Sequence, residues 1–211
     1  MEKEIRIQCY VLGTFATNCY LVWSPATREA MVIDPGGDPA DVLAEIEGEN
    51  LAVTLVVNTH GHADHIGGNS ALVKATGAPL AIGAEDAPML SKTAVNLMFW
   101  LSGTTASPPP ARLLRQGDVL SVGDLRFEVR ATPGHTPGGI TLAGEGVAFT
   151  GDTLFAGGIG RADLPGGNEA VLLASIEREL LTLPDTVRVY PGHGPATTIG
   201  AERAGNPFLN D

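Results

Sequence analysis

Two hydrophobic periods alternate along this chain. Runs 5–12 (IRIQCYVL), 19–24 (CYLVWS) and 30–37 (AMVIDPGG) are apolar at every second residue or nearly throughout, and they predict strands joined by tight turns. The period then lengthens. In DPADVLAEIEG (38–48), Val42, Leu43 and Ile46 fall on one face of a helix, with Asp38 as N-cap, Pro39 at the first helical position and Gly48 as the stop. LAVTLVVNTH (51–60) reads as a fully buried strand, GGNSALVKATG (67–77) as the helix leaving it, and PLAIG (79–83) as another strand. A mixed stretch, 84–105, is expected to be helical and leads to a rigid triple proline at 108–110. The second half repeats the alternation: strands in LRFEVRATPGHTPG (125–138) and GITLAGEGVAFTGD (139–152), a long helix in NEAVLLASIERELLTL (168–183), and a last strand in VRVYPGHGP (187–195). Strands followed by helix, twice over, suggest an α/β architecture of two sheets packed face to face with helices outside.

Length and composition fit one domain spanning 1–211, because 211 residues at 44% hydrophobic can fill a core without disulfides. The 13 basic against 24 acidic side chains give a formal charge of −11, which repels phosphate backbones and anionic lipid, so nucleic acid and membrane are not expected partners. The start, MEKEIRIQCY, lacks an apolar signal core, and the apolar stretch at NLMFWL is too short to span a bilayer; a cytoplasmic protein is expected. Cys9 and Cys19 lie in apolar runs and are expected as buried, reduced thiols.

The chemistry concentrates in the histidines. There are five, His60, His62, His65, His135 and His193, all at exits from predicted strands, in NTHGHADHIGG (58–68) or in the two PGH turns. In extended backbone, positions i and i+2 point the same way, so His60 and His62 can grip one ion. As the chain bends into a helix, Asp64 and His65 turn toward a neighbouring point, and one turn can feed two metals. Asp152 ends the apolar strand VAFTGD and brings a carboxylate able to bridge two cations. Seven nitrogen and oxygen ligands without a thiolate exceed the four of a closed structural zinc site and point to a two-metal hydrolytic centre open to water and substrate.

These motifs, with VIDPGG (32–37), THGHADHIGG (59–68), PGHTPGG (133–139), FTGDTLFAGGIGR (149–161) and YPGHGP (190–195) in order, resemble the metallo-β-lactamase superfamily, and within it the glyoxalase II-like hydrolases of the short bacterial type. The resemblance implies a four-layer αββα sandwich. It also implies that His60, His62 and His135 hold one metal, that Asp64, His65 and His193 hold the other, and that Asp152 bridges them. Asp34 matches a position that supports the ligands from behind; as a plain structural residue it would cap the turn before Pro35. Typical glyoxalase II enzymes carry a C-terminal helical domain that helps hold glutathione, whereas here only a short stretch ending AERAGNPFLND follows His193, so no such domain is expected.

A shared water ionised between two dications, with Asp64 and Asp152 among their ligands, would attack a carbonyl without a separate base. With every imidazole committed as a ligand, none is left to protonate a leaving group. A thiolate, whose parent thiol has a pKa of roughly 8.5, leaves without that help, so a thioester, including a glutathione thioester, is the expected small-molecule substrate. Zinc is the expected metal; the ligand set also suits iron or manganese. Two other functions use the same residues: a mononuclear-iron persulfide dioxygenase on His60, His135 and Asp152, and a noncatalytic metal-stabilised binding module. Arg161, in GGIGRADLPGG (157–167), could pair with a substrate carboxylate or with Asp163, and residues 89–101 (MLSKTAVNLMFWL) could cover the cleft, form a homodimer face or simply pack into the core.

Overall fold

A computed structural model describes residues 4–91 and 107–210. The first half forms a six-stranded sheet in the order β1 (Arg6–Leu12), β2 (Thr17–Trp23), β3 (Glu29–Ile33), β4 (Ala52–Asn58), β5 (Leu80–Gly83) and β6 (Arg112–Leu114). The second half forms another, in the order β14 (Thr197–Thr198), β13 (Arg188–Pro191), β10 (Val147–Gly151), β9 (Ile140–Gly144), β8 (Leu125–Ala131) and β7 (Val119–Val122). A two-stranded ribbon, β11 (Leu154–Phe155) with β12 (Gly158–Ile159), projects between β10 and the last helices.

Period-two alternation decides the layers. In β2, Tyr20 and Val22 face the second sheet and meet Phe127, Val129, Leu142 and Phe149, while Leu21 and Trp23 face outward. The outward set of the first sheet is covered by α1 (Ala40–Gly48), through Val42 and Ile46, and by α3 (Asn69–Thr76), through Leu72. On the far side, Ala143, Ala148 and Val189 meet Leu172 of α4 (Glu169–Ser175) and Ile199 of α5 (Ile199–Gly205). Three apolar interfaces make four layers, the αββα sandwich that the motifs implied. Phe149 lies fully buried in the central layer, a burial that contributes roughly 1.5–3 kcal/mol.

Several local expectations are corrected. The first helix begins at Ala40, with Pro39 at the cap position, and Asp38 instead accepts a bond from Ala40 N–H at 3.2 Å in the turn before it. Cys9 is exposed, because among the described residues β1 is an edge strand with only β2 beside it; Cys19, one strand further in, is buried as expected. Residues 84–90 form a 3-10 turn around Pro88, and 92–106 lie outside the described residues, as does most of the proposed cover or dimer face at 89–101. The long helix divides: α4 is capped by Asn168, which accepts from Val171 N–H at 3.1 Å, and continues as a π-turn at Ile176–Leu180. Among the described residues no helix is long and apolar enough to cross a membrane.

Candidate metal centre

Four parallel-paired strands end where the two sheets meet. β3 runs into Asp34, β4 into Thr59 and His60, β10 into Asp152, and β13 into His193. Parallel pairing sets β3 beside β4 and β10 beside β13, so their C-terminal turns emerge together, and α2 (Ala63–Ile66) turns Asp64 and His65 back over them. That crowding needs glycine at particular places. A side chain at Gly192 would collide with Asp152 Oδ1 and with the His65 ring, and one at Gly36 would strike the Asp64 carbonyl.

The five imidazoles and two carboxylates fall into two groups. In the first, His62 Nδ1 lies 3.1 Å from His60 Nε2 and 2.9 Å from His135 Nε2. In the second, His65 Nε2 lies 3.3 Å from His193 Nε2 and 3.7 Å from Asp64 Oδ2, which is 3.4 Å from His193. Within each group the ligand atoms lie within 4.8 Å of one another. Asp152 stands between them: Oδ1 is 3.4 Å from His65, and Oδ2 is 3.6 Å from both His135 and His193.

The histidines are aimed from behind. His65 Nδ1–H donates to Asp34 Oδ2 at 3.0 Å, and His135 Nδ1–H donates to the Arg161 carbonyl at 2.6 Å. Thr59 gives its hydroxyl proton to Asp34 at 2.6 Å and therefore accepts from His60 Nδ1–H at 3.1 Å. His60 and His135 thus turn an Nε2 lone pair inward, the tautomer that a metal requires, and His65 aims inward the Nε2 that a metal would strip of its proton. Asp34, buried at φ +50°, also accepts Thr59 N–H at 2.7 Å; its unusual backbone lets one carboxylate reach both partners.

Electrostatics separate the two groups. Burial, followed by the neighbouring imidazoles, pushes His60 well below the usual histidine range and His62 down to about 4. Burial also opposes charge on His65 and His193, yet the carboxylates outweigh it and raise both: Asp152 and Asp34 at His65, Asp64 and Asp152 at His193. Asp64 and Asp152 are in turn held below the carboxylate range against their own burial, Asp64 first by its hydrogen bond from His193 and Asp152 first by the His65 charge.

The residues fit a pair of dications. Among the described residues Asp152 Oδ1 is buried and accepts no hydrogen bond, an orphan that a bound cation would satisfy, and inward lone pairs facing one another at about 3 Å repel unless a proton or an ion lies between them.

A family model described as the metallo-β-lactamase superfamily matches residues 12–193. The chain belongs to that superfamily. It is 37% identical over 210 residues to hydroxyacylglutathione hydrolase GloC from Haemophilus influenzae, covering 98% of this chain and 99% of that one. Among solved structures it is similar to BLEG-1 B3 metallo-β-lactamase (TM-score 0.91, 37% identity, 98% of this chain and 100% of the other). It is also similar to TTHA1623 in a di-iron-bound form (0.86, 37%, 96% and 100%) and to ETHE1 from Myxococcus xanthus (0.80, 34%, 96% and 83%).

The Arg161 side chain forks onto Asp163 at 2.7 and 2.8 Å, both exposed, so what this residue gives the centre is its carbonyl. Two supports escaped the sequence reading. Asn18 of β2 crosses to the second sheet: its N–H donates to the Gly192 carbonyl at 2.7 Å, and its amide donates to the Pro191 and Gly194 carbonyls at 3.0 and 2.9 Å, gripping the turn that carries His193. A lone amide in the apolar run NCYLVW was the available signal. Asp86, with its carboxyl raised by burial, accepts main-chain N–H groups from two ligand turns, and nothing in GAEDAPML distinguishes it from other surface acids.

Proposed function

We propose that the protein is a binuclear metal-dependent hydrolase acting on thioesters of small acyl groups, glutathione thioesters included. In this reading His60, His62 and His135 hold one ion, Asp64, His65 and His193 the other, and Asp152 bridges them, with zinc as the resident metal. The observation that carries it is the Asp152 carboxylate, whose Oδ1 is buried without a hydrogen bond among the described residues and whose oxygens lie within 3.6 Å of nitrogens from both groups. Two dications held there would supply Lewis acidity and water ionised near neutral pH.

The chain's own residues do the rest. Asp34, Thr59 and the Arg161 carbonyl hold three of the rings with Nε2 turned toward the centre. All five histidines are turned into the two groups, so none is placed to protonate a departing amine, and this supports a thiolate leaving group over a lactam nitrogen. The GloC relative, matched over 99% of its length, supports a glutathione thioesterase in a chain of this size; the di-iron form of TTHA1623 supports iron as the substitute metal.

The test is metal quantification of the purified protein together with three assays: S-lactoylglutathione hydrolysis, opening of a chromogenic lactam, and oxygen uptake with glutathione persulfide. About two ions per chain with thioester turnover dominant is expected. Lactam opening faster than thioester hydrolysis overturns the substrate, and one iron with oxygen uptake establishes the dioxygenase on His60, His135 and Asp152 instead. Bound metal with no turnover leaves the binding module.

A further inference from the structure

Asp86 is fully buried in the 3-10 turn Ala84–Leu90, and both of its oxygens are spent on main-chain donors rather than on a cation. Oδ2 accepts Gly61 N–H at 3.0 Å and Oδ1 accepts Gly138 N–H at 2.7 Å. Gly61 is the residue between His60 and His62. Gly138 closes the turn that begins at His135, on the other sheet. One carboxylate therefore spans the two turns that carry the first ligand group.

The backbone around it leaves no slack. A side chain at Gly61 would come within 2.5 Å of Met89 Cβ, one at Gly138 would run into Asp86 itself, and one at Gly83 would strike the Gly138 carbonyl. The 3-10 turn is wedged between the two loops, and Asp86 is its polar contact with each. A buried carboxylate persists only where its lone pairs are matched, so the distance between Gly61 and Gly138 is tied to the width of one carboxyl group. Among the described residues none of its hydrogen bonds reaches the turns of Asp64, His65 or His193, which are held instead by Asp34 and Asn18.

We infer that Asp86 is a positioning residue dedicated to one half of the centre: it sets the gap across which His60 and His62 face His135, and so governs metal affinity in that group and not in the other. This rests on the metal-centre reading above and not on the substrate.

The experiment measures zinc affinity by chelator competition, without substrate, for Asp86→Ala and Asp86→Asn in two backgrounds that each disable one group. In His193→Ala the first group remains. There Asp86→Ala should weaken zinc about 10–100-fold, as loss of a ligand-orienting partner does, and Asp86→Asn, which keeps the volume and one acceptor, should weaken it less. In His135→Ala the second group remains, and Asp86 substitutions should change its affinity less than about twofold. Melting of the zinc-free proteins reports folding in parallel. Equal weakening in both backgrounds, tracking a lower melting temperature, means a general structural role and overturns the inference; unchanged affinity in His193→Ala overturns it as well. A parent protein that takes up no zinc overturns it together with the metal centre. Zinc uptake without thioester turnover counts against the proposed substrate alone, and the affinity comparison then still decides the role of Asp86.

Discussion

The two sheets supply the centre in opposite ways. The first delivers four candidate ligands between His60 and His65, on one strand exit and one short helix, so their relative placement is local geometry. The second delivers three from separate turns, at His135, Asp152 and His193, and each turn needs its own tertiary support. Ser175 donates its hydroxyl to the Pro133 carbonyl at 2.8 Å and Asn168 donates its N–H to the Gly134 carbonyl at 2.7 Å to hold the first, while Asn18 holds the last from the opposite sheet. A compact motif resists loss of its surroundings; a dispersed one is only as well placed as each tether.

Removing the residue on which both halves converge should have the largest effect. Asp152→Ala should lose one of the two ions by elemental analysis and lower kcat/KM about 1,000-fold or more; near-normal turnover would show that the halves do not depend on a shared carboxylate. Next, Asp34→Ala frees the His65 ring and also the Thr59 hydroxyl that orients His60, and should weaken metal retention about 10–100-fold in chelator competition, with the larger loss in the His65 group. Asn18→Ala removes the amide's bonds to the Pro191 and Gly194 carbonyls, of which Pro191 keeps the Tyr20 hydroxyl at 2.6 Å, and should cost about 0.5–1.5 kcal/mol in denaturant unfolding, together with easier loss of one ion.

Protonation gives a sharper contrast. In ion-free protein His60 and His62 are depressed and neutral at pH 7, whereas His65 and His193 are raised and hold protons above the ordinary histidine range. A cation entering the second group must expel those protons, so its apparent affinity should climb as pH rises past about 6.5, while His60 and His62 contribute no such climb. Calorimetry in buffers of different ionisation heat reads the proton release directly. The smallest effect is expected from Arg161→Ala. Among the described residues its exposed side chain pairs only with Asp163, and its carbonyl remains in place, so the melting temperature should not move and kcat/KM should stay within about twofold. A larger rise in KM for an anionic thioester would assign the guanidinium to the substrate.

Sequence alone made the layers legible, and the clustering of the candidate ligands, because both are carried by short local patterns: continuous apolar runs for β2, β3 and β4, and HxHxDH spacing for the compact half. The orienting groups were less visible. Asp34 and Asp86 do comparable work, yet only Asp34 sits inside a recognisable motif; Asp86 acts on backbone amides 25 and 52 positions away, and its neighbours carry no pattern. Arg161 was read by its side chain, while the structure uses its carbonyl, a function any residue could perform. Cys9 was misplaced because an apolar run does not reveal whether its strand lies at an edge.

The seam between the sheets has a further meaning. Every ion seated there would be gripped from two faces of the sandwich at once, so it would act as a rivet as well as a reagent. Saturation at a hundred times its dissociation constant would add about 2.7 kcal/mol to the folded state, which makes cellular metal supply a determinant of how long the protein survives as well as how fast it works.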